Sequence, residues 1–247
     1  MDTYGLIGHP LGHSFSQGFF RDKFEGEGID AEYLNFDVPD AHDVLEVLAA
    51  HPQLRGFNVT IPYKERILPY MDEVSKEARA IGAVNVVRVK GTGKQRKLCG
   101  FNSDVVGFTD SIRPLLRPHH SKALILGTGG ASKAVRYALE QKLGMQSVLV
   151  SRNEKPGVIT YAQLDVATMA EHTVIVNCTP LGMFPNTDTC PPIPYDLLTA
   201  QHLLYDLVYN PEQTLFLKNG RAQGAETKNG LEMLLLQAIE SWRIWQA

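Results

Sequence analysis

Residues 124–135, LILGTGGASKAV, set the expectation for the second half of the chain. An apolar run is followed by a glycine-rich turn and then by helix-forming residues, the pattern of a βα unit. Gly127 and Gly129 occupy the first two positions of a GxGxxG fingerprint, and Gly130 follows them, but Ser132 stands at the third fingerprint position. A turn of this kind brings backbone N–H groups and a helix N-terminus against a pyrophosphate. The segment predicts nucleotide binding, with a ligand-free glycine-rich turn as the alternative.

The end of the next predicted strand indicates which nucleotide is preferred. A site for NAD usually carries Asp or Glu there, which binds the ribose 2′-hydroxyl. This chain has instead Ser151, Arg152 and Asn153, with Lys155 close behind. Cationic and hydroxyl groups favour a 2′-phosphate, so we predict NADP; the alternative is a solvated charged turn, which Glu154 favours.

On both sides of this segment, short apolar runs alternate with helical patterns, which predicts an α/β protein with mostly parallel sheets. The rhythm restarts near Ser121, after a helix that Pro114 and Pro118 end. We therefore predict two domains. The first comprises residues 1–103 rejoined by 229–247, and the second, a Rossmann-type domain, comprises residues 104–228.

Composition excludes several classes of protein. The 247 residues are 44% hydrophobic and 21% charged, and 24 Lys and Arg against 27 Asp and Glu give a net charge of −3. This balance predicts neither a nucleic-acid partner nor a membrane surface. The N-terminal residues lack the pattern of a signal peptide, and no apolar run is long enough to span a membrane, so we expect a cytoplasmic protein. Three cysteines without CxxC spacing and eight histidines without ligand spacing predict no metal site.

Residues 58–65, NVTIPYKE, contain the first candidate for chemistry. Pro62 suits the first turn of a helix, so we expect Lys64 near a helix N-terminus at a strand end, where α/β sheets place ligand clefts. The positive end of that helix would favour the neutral amine, the form that accepts a proton. Asp104, in GFNSDVVGF, follows another strand and could position the amine. The pair suggests acid/base chemistry; a solvated lysine and a helix cap are the alternatives.

Taken together, the ordered motifs of the chain resemble the shikimate dehydrogenase family. The resemblance covers nearly the whole length and rests on GHPLGHSFSQ, NVTIPYKE, IGAVNVV, GFNSDVVG, LILGTGGASKAV, NCTPLGM, YDLVYNPEQTLFL and NGLEMLLLQA. It implies oxidation of the 3-hydroxyl of shikimate, or reduction of 3-dehydroshikimate, with NADP carrying the hydride. It also implies that Lys64 and Asp104 transfer the proton, in a cleft between the two domains that hinge closure would shield from water.

The resemblance also implies which side chains contact the substrate. It assigns two serines, three groups on strand ends and two later side chains to the substrate: Ser14, Ser16, Asn58, Thr60, Asn85, Tyr209 and Gln237. Two serines two apart on an extended segment would face the same way. For the two serines, the simpler alternative is a helix cap. For Gln237, it is a surface position. For the cofactor we add three positions to those named above: Ala131, Thr179 and Gly230.

The chain departs from the family pattern at several positions. Gln17, Phe20 and Arg21 replace a proline and a His-Asn pair, and Val86 replaces a threonine, which leaves one substrate contact open. The segment after Arg152 is too short for a full helix.

We interpret His13 as structural, and we expect a monomer or a homodimer. Two other functions stay open. One is a quinate dehydrogenase that uses NAD, and the other is a nucleotide-binding regulatory module without turnover.

Overall fold

The computed structural model describes residues 1–12 and 14–247, so the prediction for His13 lies outside the described residues. The chain divides into two compact units, one formed by residues 1–103 with 238–247 and the other by residues 104–237. Each unit contains a sheet with helices, and the predicted α/β class is confirmed.

The first unit follows the alternation of strands and helices that the sequence predicts. Its strands are β1 (Asp2–Gly8), β2 (Ala31–Asp37), β3 (Leu54–Val59), β4 (Glu73–Val74), β5 (Val86–Lys90) and β6 (Lys97–Phe101). Its helices are α1 (Phe15–Glu27), α2 (Val44–Ala50) and α3 (Lys76–Ile81).

The sheet of the first unit has the strand order β2-β1-β3-β5-β6-β4 among the described residues. β1 pairs in parallel with β2 and β3, and β4 pairs in parallel with β6, whereas β5 runs antiparallel to both of its neighbours. Asn58, near the carboxyl end of β3, is paired with Leu6 on one side and Val86 on the other. It therefore lies where the parallel half of the sheet meets its antiparallel half.

Two apolar cores cover the two faces of this sheet. Because side chains alternate along a strand, Tyr4 and Leu6 of β1 face one core and Ile7 faces the other. The core that contains Tyr4 is rich in aromatic rings and also includes Phe20 and Trp245. Burial of rings of this size is a large favourable term in folding.

The helix expected after Pro62 is absent, and this prediction was wrong. Residues 61–67 form turns, followed by a single 3₁₀ turn at Leu68–Tyr70. The Lys64 carbonyl accepts a hydrogen bond from the Val84 backbone N–H at 2.7 Å. This long-range bond takes the place of the bond that the carbonyl would accept within a helix. Tyr63 is buried and donates its hydroxyl to the Val38 carbonyl at 2.6 Å, so long-range contacts hold the segment.

The second unit also follows the predicted alternation of strands and helices. Its strands are β7 (Lys122–Leu126), β8 (Gln146–Ser151), β9 (Val158–Thr160), β10 (Val174–Asn177), β11 (Leu203–Asp206) and β12 (Glu226–Lys228). Its helices are α4 (Asp104–Ile112), α5 (Gly130–Tyr137), α6 (Val166–Glu171), α7 (Leu215–Ala222) and α8 (Leu231–Gln246), and α8 continues into the first unit from Ala238.

The second sheet has the order β12-β11-β10-β7-β8-β9, and every neighbouring pair in it is parallel. Counted from β7, this is the 3-2-1-4-5-6 order of a Rossmann fold, as predicted. Strands are added on one side of β7 up to β9 and on its other side from β10 onward, so the strand order reverses between β7 and β10. Ligands of such sheets bind outside the carboxyl ends of the strands at that point. After β8, residues 152–157 lead directly to β9 without the helix that the family pattern would place there.

Residues 229–237, which the sequence analysis grouped with the first domain, pack with the second unit. The reason is a close approach of α4 to α8. A Cβ on Gly107 would lie 2.6 Å from the Met233 carbonyl oxygen and 3.2 Å from the Gln237 Cβ. The functional assignment of the two domains stays a prediction.

Asp206 joins the ends of two neighbouring strands in the second unit. Its buried carboxylate accepts hydrogen bonds from Asn177 Nδ2 at 2.9 Å, from the Val208 backbone N–H at 3.0 Å and from the Thr214 hydroxyl. Burial raises the pKa of Asp206 from an ordinary 3.8 to about 6, although the three hydrogen bonds oppose this shift. Desolvation therefore outweighs the hydrogen bonds at this site.

The raised pKa predicts how stability depends on pH. Asp206 holds its proton more tightly in the folded chain, so its contribution is full below pH 3.8 and is lost as pH rises through about 6. Relative to Asp206→Asn, the wild type should lose about 1 kcal/mol of unfolding free energy between pH 5 and pH 7.5. Urea denaturation at both pH values measures this difference.

Asp165→Asn is the matched control, because Asp165 is an exposed helix N-cap whose pKa is lowered by the Thr168 backbone N–H. Its carboxylate is ionised in both folded and unfolded chains at pH 5 and above, so its effect should be equal at the two pH values. An equally pH-independent effect of Asp206→Asn would contradict the assignment.

Candidate active site

A buried polar cluster in the first unit brings together strand-end side chains that the sequence analysis selected. Asn58 Nδ2 lies 2.8 Å from the Ser241 hydroxyl and 3.4 Å from the Asn85 carbonyl. Asn85 Nδ2 donates to the Ser103 hydroxyl at 3.1 Å, and Asn85 Oδ1 accepts from the Ser103 backbone N–H at 2.7 Å. The two serine hydroxyls are 3.4 Å apart, so Asn58 and Asn85 belong to one hydrogen-bonded network.

Tyr33 extends this network toward α1. Its hydroxyl donates to Asn58 Oδ1 at 2.9 Å and is also hydrogen-bonded to Ser16. Burial raises the pKa of Tyr33 far above its ordinary value, so the phenol remains protonated. Three predicted substrate residues, Ser16, Asn58 and Asn85, are thus connected within one unit.

The two serines of HSFS are arranged differently from the expectation. Ser14 is the N-cap of α1, in extended conformation, and makes no capping side-chain hydrogen bond in the described part of the chain. Ser16 lies in the first turn of the helix. The expectation of an extended segment with both serines facing the same way was therefore wrong. Their contact with substrate stays a prediction.

Lys64 and Asp104 each lie just beyond the end of a strand of the first sheet. Thr60 directly follows β3, and its backbone N–H donates to the Ile7 carbonyl at 2.9 Å. Lys64 is half-buried in the turn after it, held by the backbone bond to Val84. Asp104 is only 2% exposed and begins α4, where the N–H groups of the first helical turn favour a carboxylate. Lys64 belongs to the first unit and Asp104 to the second, and their pairing stays a prediction.

The glycine-rich turn has the geometry that its sequence predicts. Gly127 has a φ of +106°, and a Cβ there would lie 3.1 Å from Thr179 Cγ2, so only glycine suits this position. Gly129 is the N-cap of α5 and has open space at the Cβ position. A backbone with N–H groups and no side chain is thus presented at a helix N-terminus, as a pyrophosphate requires.

One of the predicted 2′-phosphate residues, Lys155, lies against this turn. Lys155 Nζ is 3.3 Å from the Thr128 hydroxyl, which joins the end of β8 to the glycine-rich turn. Arg152 and Asn153 are exposed, and the Asn153 backbone N–H donates to the Ser151 hydroxyl at 3.4 Å. These groups give the site cationic and hydroxyl character, which fits a phosphate monoester better than a bare ribose.

The loop after β10 is held beside Gly127 by the Asp206 network. Asn177 Oδ1 accepts hydrogen bonds from the backbone N–H and the hydroxyl of Thr179, at 3.0 and 2.6 Å, while Asn177 Nδ2 binds Asp206. Burial raises the pKa of the Cys178 thiol well above its ordinary value, and the carboxylates of Asp206 and Asp104 add to this shift. Asp104 therefore lies near the loop that carries Thr179.

The remaining predicted residues have more ordinary surroundings. Tyr209 is 38% exposed in the loop after β11, and Gln237 is half-buried on α8. Ala131 is half-buried in the first turn of α5. A Cβ on Gly230 would lie 2.2 Å from the Leu207 carbonyl oxygen, so packing alone explains this glycine. Contacts of these residues with ligands stay predictions.

Sequence reasoning missed Tyr33, Ser241 and Asn177 as hydrogen-bond partners of the predicted site residues. Ser241 carried a signal, because it occupies the apolar face of α8 between Ala238 and Trp245 and is fully buried. Nothing in the sequence distinguishes Tyr33 from an ordinary aromatic residue of a strand.

Among the residues described, the structure has no group of three or more acidic, histidine or cysteine side chains placed to hold a metal ion. Nor does the described chain include a helix long and apolar enough to cross a membrane.

Comparison with known proteins supports the resemblance. The family model for the shikimate dehydrogenase substrate-binding domain matches residues 6–87. The shikimate dehydrogenase (NADP(+)) of Methanococcus maripaludis strain C6 is 36% identical over 257 residues, which span 98% of this chain and 90% of that protein.

Solved structures agree with this relationship. A crystal structure of a shikimate dehydrogenase in complex with NADP+ has a TM-score of 0.86 at 32% identity, covering 99% of this chain and 89% of the other. The shikimate 5-dehydrogenase of Thermus thermophilus, in complex with NADP(H) and shikimate, has a TM-score of 0.84 at 32% identity, covering 99% and 93%. The chain belongs to the shikimate dehydrogenase family.

Proposed function

We propose that this chain catalyses the reversible, NADP-dependent reduction of 3-dehydroshikimate to shikimate, a step of chorismate and aromatic amino acid biosynthesis. The observation that carries the proposal is similarity to a shikimate dehydrogenase (NADP(+)) over 98% of the chain, at 36% identity. The reaction consumes one hydride and one proton, so the site must provide for both.

The second unit has the features that NADP requires. The open backbone at Gly129 and the N-terminus of α5 suit the pyrophosphate, and Arg152 with Lys155 suits the 2′-phosphate. NADP, when bound, supplies or accepts the hydride. Thr179, held by Asn177, is the residue of the β10 loop that we assign to the cofactor.

Lys64 and Asp104 are the proposed acid/base pair. In the reducing direction, the Lys64 ammonium gives its proton to the ketone oxygen as the hydride arrives at the carbon, and the oxidising direction reverses both transfers. Asp104 holds the amine in position by hydrogen bonding and charge. The absence of a helix at Lys64 removes the dipole as a contribution, so the turn held by Val84 and Tyr63 is what positions the lysine.

The substrate is a small polyhydroxy carboxylate and needs hydroxyl and amide partners. Ser14, Ser16, Asn58, Thr60 and Asn85 provide them in the first unit. Tyr209 and Gln237 are proposed to complete this shell. The hydrogen bonds that join Ser16, Asn58 and Asn85 through Tyr33 and the two buried serines support a single site for these groups.

A cytoplasmic location and a monomeric or homodimeric state are part of the proposal. The cysteines Cys99, Cys178 and Cys190 are free. Unpaired cysteines are usual in the reducing cytosol.

A spectrophotometric assay of nicotinamide reduction tests the function. Shikimate and quinate are each offered with NADP and with NAD, and shikimate with NADP should give the highest kcat/KM. Quinate with NAD as the best pair would support the quinate dehydrogenase instead. No nicotinamide reduction in any of the four mixtures would overturn the proposal and favour a regulatory module.

Replacement of Lys64 should remove the proton transfer. We expect Lys64→Ala to lower kcat by about 10²- to 10⁴-fold, the usual contribution of general acid/base catalysis, with a smaller change in the KM for shikimate. Steady-state kinetics at saturating NADP measure this split. Arg66→Ala is the matched control, because Arg66 is an exposed cation of the same segment. An unchanged kcat in Lys64→Ala would exclude Lys64 from the chemistry.

Replacement of Arg152 should affect one cofactor only. A hydrogen bond to a charged group contributes about 1.5–3 kcal/mol, so Arg152→Ala should raise the KM for NADP by about 10- to 150-fold. The KM for NAD, which lacks the 2′-phosphate, should hardly change. Arg221→Ala, an exposed arginine on α7, controls for the loss of one positive charge from the same unit. Equal effects of Arg152→Ala on NADP and NAD would refute the assignment.

A further inference from the structure

Hydrogen-bond partners in the first unit occupy nearly all the donor and acceptor positions of the Asn58 side-chain amide. Its Nδ2 lies 2.8 Å from the Ser241 hydroxyl and 3.4 Å from the Asn85 carbonyl oxygen, and its Oδ1 accepts from the Tyr33 hydroxyl at 2.9 Å. These partners come from the strand β2, the segment before β5 and the helix α8. Three separate parts of the first unit thus converge on one side chain.

The carbonyl oxygen of Asn85 decides which way the amide of Asn58 points. A carbonyl can only accept a hydrogen bond, so the Asn58 atom that faces it must be the nitrogen. Both hydrogens of that nitrogen are then directed to Ser241 and Asn85. The oxygen faces Tyr33 and receives its proton, which leaves Asn58 one oxygen lone pair for a ligand. Asn58 therefore presents an acceptor and has no donor left.

Tyr33 and Ser241 are themselves rigidly held. The ring of Tyr33 stacks on Phe20 with a centroid distance of 4.8 Å and an interplanar angle of 11°, and the side chain is 6% exposed. Ser241 is fully buried, and its hydroxyl lies 3.4 Å from that of Ser103. Movement of either hydroxyl would break its hydrogen bond to the Asn58 amide.

We propose that Tyr33 and Ser241 are positioning residues that fix Asn58 as a hydrogen-bond acceptor, so that the site selects a substrate with a hydroxyl group at this point. The inference deepens the proposed function and rests on it, since Asn58 is one of the proposed substrate residues. A ring hydroxyl of shikimate can donate to the remaining lone pair of Asn58 Oδ1. A hydrogen, an ether or a carboxylate at the same position cannot donate.

Tyr33 also supports a second substrate residue. The same phenol is hydrogen-bonded to Ser16, so removal of its oxygen releases two predicted contacts at once. Ser241 contacts Asn58 and Ser103. Tyr33→Phe should therefore disturb both Asn58 and Ser16.

Kinetics of Tyr33→Phe and Ser241→Ala test the proposal in the full-length protein. Loss of one positioning hydrogen bond, about 1–1.5 kcal/mol, corresponds to about a 5- to 10-fold rise in the KM for shikimate. The KM for NADP should stay unchanged, and kcat should change less than the KM for shikimate. Ser241→Thr, which keeps a hydroxyl, should restore most of the affinity. An unchanged KM for shikimate in both variants would overturn the inference.

Tyr4→Phe is the matched control. Tyr4 belongs to the same aromatic core, stacks on Trp245 at 4.9 Å and hydrogen-bonds Gln246 instead of Asn58. It should leave both KM values unchanged. A rise in the KM for shikimate as large as that of Tyr33→Phe would mean that loosening of the aromatic core is the cause, and it would contradict the positioning role.

A double-mutant cycle separates positioning from general damage. If Ser241 acts only through Asn58, Ser241→Ala should raise the KM for shikimate in the wild type and cause no further rise in an Asn58→Ala background. Additive effects would overturn the inference. The outcome is distinct from a failure of the proposed function, which would appear as no activity of the wild type with shikimate.

A substrate analogue provides the specificity readout. Shikimate analogues that keep the 3-hydroxyl and have one of the other ring hydroxyls replaced by hydrogen should include one that the wild type turns over poorly and that Tyr33→Phe discriminates much less. The ratio of kcat/KM for shikimate to that for the analogue should fall in the variant. An unchanged ratio for every analogue would contradict the selection of a hydroxyl at Asn58.

Discussion

Hydrogen bonds among polar side chains buried at strand ends are the constraint on which the site depends. An unpaired buried amide or hydroxyl costs about 1–3 kcal/mol, a large fraction of the stability of a domain. In the first unit this requirement joins Asn58, Asn85 and Ser103 to Ser241 on the final helix. In the second unit it joins Asn177 and Thr214 to the carboxylate of Asp206.

The same hydrogen bonds give the candidate site its chemical polarity. Asn58 is left as an acceptor because its donors are used, and the Thr179 loop lies beside Gly127 because Asn177 holds it. Lys64 shows the same dependence on distant partners. Its turn is fixed by a backbone bond to Val84 and by the buried Tyr63, so the lysine is positioned by the tertiary structure.

Sequence reasoning succeeded where the determining interactions are local. The strand, turn and helix around Gly127 follow from short-range patterns and from a glycine that needs a positive φ. It failed for residues 61–67 and for Ser16, since a proline and a serine fit both a helix and a turn, and the choice is made by contacts far along the chain. Partners such as Tyr33 and Ser241, separated by most of the chain from each other, leave no local signal beyond a polar residue on an apolar helix face.

A crystal structure with shikimate and NADP+ bound tests whether the buried polar network around Asn58 prepares this family member for its hydroxylated substrate. We predict a ring hydroxyl of shikimate within about 3 Å of Asn58 Oδ1, with the hydrogen bonds of Asn58 to Tyr33 and Ser241 retained. Shikimate bound away from Asn58, or an Asn58 amide released from Ser241 to donate to the ligand, would show that the network does not fix Asn58 as an acceptor.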